Sequence, residues 1–445
     1  MTPALGKQMS FDIVIHNGVI ITVNSDFDII ENGVVCITQG TLERIEAGAD
    51  DKPLPEAEQI IDANGGIIMP GLVNTHTHLP MTLFRGLADD LPLALWLDEF
   101  IFPCEAKYLT PETVRLGTLL ACAEMILSGT TTCCDGYFFE DHVASAVHTS
   151  GFRGVLGQGV VDFPAPGVPD PSYNIKNAVE FVEKWQDISP LITPSIFCHS
   201  PYTCSEETLK KAKAASDSKG LLFQIHAAET KSEYLRIQTE QHTTPVKYLD
   251  RIGILDRNTL IVHGIWLDDD DIEIIAKRRS KVSHNPQSNM KLVSGIAPVS
   301  GLLSAGVTVG LGTDGCASNN DLDLFREMDT AAKLHKVNLF DPTVMDAQTV
   351  LKMATIDGAK AIGLDKDIGS LEAGKQADVI IIDTEKPHLV PMYNPVSHII
   401  YTVQASDVRD VIVSGRILVR DQNLLTLNLE DTLKKIAAIS RMIKE

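Results

Sequence analysis

The stretch Met69–Pro80, MPGLVNTHTHLP, carries a short apolar run directly into two histidines that are separated by one residue. Side chains at positions i and i+2 of a strand leave the same face, so we expect His76 and His78 to point the same way. Two imidazoles that converge from one strand form half of a divalent-metal site, because neutral imidazole suits zinc, iron and similar cations. A pair of surface or hydrogen-bonded histidines is the alternative, and ligands elsewhere in the chain decide between the two.

Composition excludes several classes of protein. A chain of 445 residues can bury a large core, and an α/β barrel can take most of it as one domain. The net charge of −21 argues against nucleic-acid binding, which relies on Lys and Arg. The segment 1–15 lacks the apolar core of a secretory signal, and no stretch approaches the roughly 20 apolar residues of a membrane span. We therefore expect a cytoplasmic protein with no membrane or nucleic-acid partner.

Both ends of the chain are rich in β-forming residues. Phe11–Val23 contains two such runs about Asn17 and Gly18, a pair that is a strong hairpin signal. Similar character returns in Asp378–Asp383 and Val408–Val419. Two β-rich ends around a different middle predict one small β domain that is built from both termini.

The middle of the chain alternates short apolar runs with helical patterns, which favours βα units and a parallel sheet. This pattern predicts an α/β fold, a (β/α)8 TIM-like barrel over residues 67–365, with a composite β-sandwich from 1–66 and from 366–445, the latter including a terminal helix. The eight candidate barrel strands are Ile67–Val73, Thr130–Cys134, Arg153–Val160, Leu191–Cys198, Leu221–Ile225, Thr259–Val262, Ser280–Ser283 and Val307–Leu311.

Many of these strands end in a polar, chemically capable residue, and barrel enzymes build their active sites at the C-terminal ends of the strands. His226 follows one apolar run, and Asp314 follows the last one between glycines that let the backbone approach a ligand. Taken alone, each could be a buried histidine or a turn aspartate. Together with His76 and His78 they supply three imidazoles and a carboxylate, which leaves room for water as a catalytic metal site requires.

The segments PGLVNTHTH, HAAE, the HG after strand six, SHNP and GTD resemble those of the amidohydrolase superfamily over nearly the whole chain. Within it, the chain is most similar to the 5-methylthioadenosine/S-adenosylhomocysteine deaminase group and its guanine-deaminase and triazine-hydrolase relatives. The resemblance implies one divalent metal held by His76, His78, His226 and Asp314, with zinc expected and iron or manganese as alternatives. Binuclear relatives carry a carboxylated lysine at the end of strand four, where this chain has Ser195–Tyr202, SIFCHSPY, without a lysine.

The same resemblance implies a hydrolase that removes the 6-amino group of an adenosine-like nucleoside, namely 5'-methylthioadenosine, S-adenosylhomocysteine or adenosine, as ammonia. Asp314 would serve as ligand and general base, Glu229 would protonate the ring nitrogen, and His263 would steady the attacking water and the developing charge. Glu229 and Asp314 would also contact the substrate. Glu105 would hold the ribose hydroxyls and His199 would make another substrate contact. Without the resemblance, Glu105 would be interpreted as a surface charge and His199 as a core histidine.

One departure from the family pattern concerns the substrate's distal end, which arginines after strand three often reach. Here Gln158 stands in GVLGQGVVD, and no arginine occurs between Arg153 and Arg236. Another loop, or a second copy in a homo-oligomer, could supply a positively charged side chain. Otherwise the missing arginine favours an uncharged nucleoside as substrate. A guanine- or pterin-type deaminase or a chlorotriazine-type hydrolase on the same fold remains the alternative activity. A non-catalytic binding protein is the alternative from another class.

Overall fold

The computed structural model of the protein describes residues 10–49, 53–91 and 93–444. The first residues of segment 1–15, on which the expected lack of a signal peptide partly rests, lie outside these ranges. None of the helices in the described ranges has the length and apolar character needed to cross a bilayer. The cytoplasmic location, the homo-oligomer and the domain limits stay predictions.

The strands supply much of the buried core. They are β1 (Phe11–Ile21), β2 (Ile29–Thr38), β3 (Thr41–Ala47), β4 (Ala57–Asp62), β5 (Ile67–Pro70), β6 (Leu72–Thr77), β7 (Thr130–Tyr137), β8 (Arg153–Val160), β9 (Ile192–Cys198), β10 (Phe223–Ala227), β11 (Thr259–His263), β12 (Lys281–His284), β13 (Val309–Leu311), β14 (Val379–Ile382), β15 (Val408–Val413), β16 (Arg416–Arg420) and β17 (Asn423–Leu424).

The helices mostly follow or precede a barrel strand along the chain. They are α1 (Leu93–Trp96), α2 (Phe102–Tyr108), α3 (Pro111–Leu127), α4 (Glu140–Ser150), α5 (Asn174–Trp185), α6 (Glu206–Lys219), α7 (Lys231–Gln241), α8 (Pro245–Arg251), α9 (Asp269–Arg278), α10 (Pro286–Lys291), α11 (Val299–Ser304), α12 (Leu324–Leu339), α13 (Ala347–Met353), α14 (Ile356–Ile362), α15 (Pro395–Tyr401) and α16 (Leu429–Lys444). A π-helical turn, Leu97–Ile101, joins α1 to α2. We call the described residues of the segment 79–108, between β6 and α3, the lid.

In the described part of the chain, β6 to β13 form an eight-stranded sheet of parallel strands in sequence order. The barrel closes just beyond the last strand, where the Asp314 N–H donates to the His76 carbonyl at 3.0 Å. Next to this contact the Thr313 N–H donates to the Asn74 side-chain oxygen at 3.1 Å. The predicted (β/α)8 barrel is therefore confirmed. The closing seam runs through two of the predicted metal ligands.

The first candidate barrel strand, Ile67–Val73, is wrong in its limits because the structure divides it at Gly71. β5 lies in the other sheet, while β6 begins the barrel. The Gly71 N–H donates to the Asp378 carbonyl and the Leu72 N–H to the Gly129 carbonyl, both at 3.0 Å. A Cβ at Gly71 would lie 2.1 Å from the Thr131 side chain, so only glycine fits at this crossing.

The remaining strands form a nine-stranded mixed sheet, within the described ranges, from both ends of the chain. β5 runs parallel to β1 and antiparallel to β14, so the N-terminal and C-terminal strands meet there. The predicted composite β domain is confirmed, but the hairpin at Asn17 and Gly18 is wrong. β1 continues through both residues, and its register against β2 shifts between Ile15 and Gly18. Asn17 adopts a φ of 58°, and its amide donates to Asp62 Oδ1 at 2.7 Å, so the pair forms a bulge rather than a turn.

A buried ion pair links the two sheets. Arg153, the first residue of β8, donates from Nε and from one terminal nitrogen to the two carboxylate oxygens of Asp378, at 3.1 and 3.0 Å. The Ser414 N–H also donates to Asp378 Oδ1 at 2.8 Å. The side chains of Arg153 and Asp378 are only 7% and 2% exposed. This two-point contact therefore fixes the barrel against the composite sheet away from water.

Candidate metal centre and active site

Four predicted ligands meet at the C-terminal end of the barrel. The Nε2 atoms of His76 and His226 lie 3.1 Å apart. Asp314 Oδ1 lies 3.4 Å from His76 Nε2 and 3.4 Å from His78 Nε2. His226 and Asp314 lie far along the chain from His76 and His78. The barrel brings them together because β6, β10 and the segment after β13 all end at the same edge.

The electrostatics of these side chains suit a cation. Burial lowers the pKa of His76 to about 3 and that of His226 well below its ordinary value, so both rings are neutral. The His78 Nδ1–H donates to the Gly136 carbonyl at 2.7 Å, which leaves the lone pair of Nε2 directed to the site. Three neutral imidazoles and one carboxylate form a nitrogen and oxygen donor set that zinc and similar divalent ions accept. The residues therefore fit a metal ion.

The backbone around Asp314 is tightly constrained. Asp314 has a φ of 61°, in the left-handed region that residues with a Cβ seldom adopt. On one side, a Cβ at Gly312 would lie 2.8 Å from the His76 backbone nitrogen. On the other, a Cβ at Gly315 would lie 2.6 Å from the Met81 sulfur. The two glycines of GTDG thus allow the last barrel segment to approach the first strand and the lid.

Hydrogen bonds orient the Asp314 carboxylate. The hydroxyls of Ser288 and Ser318 donate to Oδ2 at 2.7 and 3.0 Å. The Gly315 N–H donates to Oδ1 at 2.8 Å, and Oδ1 is the oxygen that faces the histidines. The carboxylate is therefore fixed with one oxygen at the ligand cluster and the other on two hydroxyls.

Glu229 and His263 lie beside this cluster. Glu229 follows β10, and its Oε2 lies 3.9 Å from His263 Nε2. His263 Nδ1 lies 2.9 Å from the Asn289 side-chain oxygen, so Nδ1 carries the hydrogen and Nε2 is free to face Glu229. Burial raises the pKa of the Glu229 carboxyl, while the neighbouring His263 opposes that shift. A carboxyl with a raised pKa holds its proton more firmly, which suits a proton donor.

Glu105 and His199 line the same cavity. Glu105 lies on α2 of the lid, is 3% exposed, and accepts a short hydrogen bond from the Tyr137 hydroxyl. Burial raises the pKa of Glu105 to about 7, and the Tyr137 hydrogen bond opposes the shift. His199 Nδ1 lies 3.0 Å from the Thr203 hydroxyl, and burial lowers the pKa of His199 to about 4. Glu105 is therefore buried and is not a surface charge. His199 lines the cavity and is not simply a core histidine.

The cavity measures about 770 Å³ with its open mouth included. Three of the four ligand candidates, His78, His226 and Asp314, border it together with Glu229 and Glu105. One wall is apolar, with Phe102 and Phe163 in ring contact at 6.1 Å between centroids. Trp96 is 5% exposed and forms part of the same wall, so the lid covers the cavity with aromatic surface. Among the described residues that line the cavity, none is a lysine or an arginine.

Three other polar residues of the barrel strands do not line the cavity. Asp135 Oδ1 accepts the Leu79 N–H at 2.7 Å, beneath the start of the lid. His284 Nε2 lies 3.1 Å from His335 Nε2, so it packs against α12. Gln158 Oε1 accepts the Glu140 N–H at 3.1 Å and is buried in the barrel.

Sequence reasoning missed Tyr137, which lines the cavity and holds Glu105. The sequence indicates Tyr137 only weakly. It lies two positions beyond Asp135 and is the last residue of β7. It also missed Glu233, whose side chain contacts the backbone of Glu229. That residue looks like an ordinary acid in the first turn of a helix.

A parallel eight-stranded barrel with three histidines and an aspartate gathered at its C-terminal edge defines a barrel hydrolase that works with a bound metal. The comparison with known families agrees, since residues 67–418 match the sequence profile of the Amidohydrolase family. The chain belongs to this family and is an enzyme, a metal-dependent hydrolase acting on carbon–nitrogen bonds.

Similar proteins cover almost the whole chain. The 5-methylthioadenosine/S-adenosylhomocysteine deaminase of Syntrophobacter fumaroxidans is 45% identical over 97% of this chain and 98% of its own length. The 5'-deoxyadenosine deaminase of Methanosarcina mazei is 45% identical over 95% of this chain and 96% of its own. A crystal structure of an adenosine deaminase from Xanthomonas campestris with bound zinc aligns with a TM-score of 0.95 and 35% identity, covering 98% of this chain and 99% of that one.

Proposed function

We propose that the protein is a hydrolytic deaminase of adenosine-like nucleosides with a small, uncharged 5' group. The observation that carries the proposal is the cavity itself. It is bordered at once by three of the four ligand candidates, by the largely buried acid Glu229 and by the buried acid Glu105. One site can therefore hold a ribose and attack a purine ring. Relatives named for 5-methylthioadenosine and S-adenosylhomocysteine, and for 5'-deoxyadenosine, support an adenosine-like substrate.

The proposed reaction replaces the 6-amino group of the purine by oxygen. A divalent cation held by the ligand cluster would lower the pKa of water from about 15.7 towards ~7 and so supply a nucleophile at neutral pH. Asp314 accepts the proton of the attacking water, and Glu229 donates its proton to N1 of the ring. His263 directs Nε2 to the same region and stabilises the charge that develops there. A bond forms from the water oxygen to C6, and Asp314 passes the proton it has accepted to the amino nitrogen. The bond from C6 to that nitrogen then breaks and ammonia leaves, while the new hydroxyl on C6 gives its proton back to Glu229 and becomes the carbonyl.

We propose one metal ion, zinc, held by His76, His78, His226 and Asp314. The zinc in the similar adenosine deaminase from Xanthomonas campestris supports the choice of ion. The segment after β9 carries His199 and no lysine, so the bridging ligand of a binuclear centre has no counterpart. Iron or manganese would satisfy the same donors and remain the alternatives.

The apolar wall supports a preference among adenosine derivatives. The Gln158 side chain accepts a hydrogen bond from the Glu140 backbone. Among the described residues that line the cavity there is no lysine or arginine side chain. Arg236, the next arginine along the chain, lies 5.7 Å over the Tyr202 ring and pairs with Glu240 at 3.0 Å. The amino-acid carboxylate of S-adenosylhomocysteine would therefore lack a dedicated partner, which costs at least about 1.4 kcal/mol, a factor of ten in kcat/KM.

The test incubates zinc-loaded protein with 5'-methylthioadenosine, 5'-deoxyadenosine, adenosine, S-adenosylhomocysteine, guanine and a chlorotriazine. Ammonia or chloride release and the purine absorbance are followed. We expect the uncharged adenosines to react best and S-adenosylhomocysteine to have a kcat/KM lower by at least about tenfold. If only guanine or the triazine reacts, the alternative activity replaces the proposal. If nothing reacts, the proposed substrate class is wrong.

A further inference from the structure

The loop that carries Glu229 has an unfavourable backbone conformation. Ala228, the residue before Glu229, has a φ of 54°, in the left-handed region where a Cβ is disfavoured. The Ala228 carbonyl accepts the N–H groups of Ile265 and Trp266, each at 2.8 Å, so the peptide is held from the neighbouring βα loop. A conformation of this kind persists only where the surroundings specify it.

A second buried carboxylate holds the same loop from the other side. Glu233 Oε1 accepts the Ala228 N–H and Oε2 accepts the Glu229 N–H, both at 2.8 Å. Glu233 is 4% exposed and forms no ion pair within the described ranges. Its two oxygens therefore serve two successive N–H groups of the loop, and burial strengthens both hydrogen bonds.

Helix capping does not account for this arrangement. Thr230 already caps α7, because its hydroxyl accepts the Glu233 N–H at 3.1 Å. An acid in a first turn commonly points to water and interacts with the helix dipole. The side chain of Glu233 instead turns inward to the peptide bond before the reacting acid.

We propose that Glu233 is a positioning residue for Glu229, an inference that rests on the proposed role of Glu229 as proton donor. Its carboxylate fixes the peptide between Ala228 and Glu229, and with it the direction of the Glu229 side chain. Without the second oxygen, one buried N–H loses its acceptor and the left-handed residue is free to relax. A displacement of about 1 Å at a reacting group can cost 100-fold in rate.

The kinetic test is a double-mutant cycle with Glu233→Gln and Glu229→Gln in zinc-loaded protein. In Glu233→Gln the introduced amide keeps one accepting oxygen and turns an N–H₂ group towards the other backbone N–H. We expect kcat to fall about 10- to 100-fold with KM nearly unchanged. The matched control is Glu240→Gln, the same chemical change on the exposed end of α7, which should keep wild-type rates.

The cycle separates positioning from general stability. The substrate is 6-chloropurine riboside, since chloride leaves without a proton and residual turnover stays measurable. If Glu233 acts through Glu229, then Glu233→Gln should lower kcat by less than about twofold in the Glu229→Gln background. An equal loss in both backgrounds would mean a structural role and would overturn the proposal.

Hydrogen exchange gives a readout independent of activity. In Glu233→Gln the amides of Ala228 and Glu229 should exchange faster, while the amides of β10 and the metal content stay as in the wild type. Unchanged exchange at Ala228 and Glu229 would refute the contact as a constraint. If the wild type attacks no purine nucleoside, the proposed function fails, and the exchange data still decide whether Glu233 holds the loop.

Discussion

Replacing Glu105 with glutamine should remove the recognition of the ribose and leave the chemistry at the purine ring intact. The Tyr137 hydroxyl already occupies Oε1 of Glu105, so Oε2 is the oxygen left to accept a ribose hydroxyl. One charge-assisted hydrogen bond is worth about 1.5–3 kcal/mol. The Glu105→Gln variant should therefore lose about 10- to 150-fold in kcat/KM for adenosine-like nucleosides.

The assay compares each nucleoside with its 2',3'-dideoxy analogue in the wild type, in Glu105→Gln and in Glu99→Gln. Glu99 is an exposed acid of the same lid, so its variant controls for loss of charge there. We expect the wild type to prefer the riboside and Glu105→Gln to treat the two alike. If Glu105→Gln slows the riboside and the dideoxy analogue by the same factor, Glu105 does not bind the ribose.

The raised pKa of Glu105 gives this prediction a pH dependence. Hydrogen bonding to the ribose needs the carboxylate, which is present above the pKa of about 7 and lost as the pH falls through it. KM for ribosides should therefore rise below about pH 7, and this limb should be absent in Glu105→Gln. A KM that is flat between pH 6 and 8, a window chosen around the pKa, would contradict the assignment.

Three further predictions concern the proton donor, the metal and the ion pair. Glu229→Gln should keep its metal and its unfolding midpoint but lose about 10²- to 10⁴-fold in kcat, and an unchanged rate would remove Glu229 from the mechanism. Dialysis against a chelator should abolish turnover and zinc should restore it, as followed by metal analysis and ammonia release; full activity of the metal-free protein would contradict the site. Arg153→Met leaves Asp378 buried without its partner and should cost about 3–5 kcal/mol in the free energy of unfolding. The double variant Arg153→Met/Asp378→Leu should recover part of the lost free energy of unfolding, as measured by denaturant titration. If Arg153→Met alone is as stable as the wild type, the argument is refuted.

The four ligand candidates could be found from the sequence because two general rules combine. Alternation along a strand places His76 and His78 on one side, and the barrel rule brings all strand ends to one edge. Nothing in these rules depends on side-chain packing. That is why His226 and Asp314, far from the first pair in sequence, could be named with it.

The remaining features depend on contacts that no local pattern encodes. Glu233 has the same local context as Asp269 and Asp270, the exposed acids in the first turn of α9. Its inward direction follows from the fold of the loop at Ala228. Likewise, the hairpin at Asn17 is replaced by a bulge because β1 pairs with β2 on both sides of it. Tertiary pairing overrides a turn signal that is correct for an isolated segment.

The seam that joins His76 to the segment of Asp314 has a consequence for biosynthesis. His76 emerges early from the ribosome and Asp314 late, and β5, next to β6, needs β14 from still further along the chain. Since domains generally fold as units while the N-terminus is made first, a nascent chain holds at most a partial ligand set. We therefore expect the complete set of proposed ligands to form only after the whole barrel has been translated.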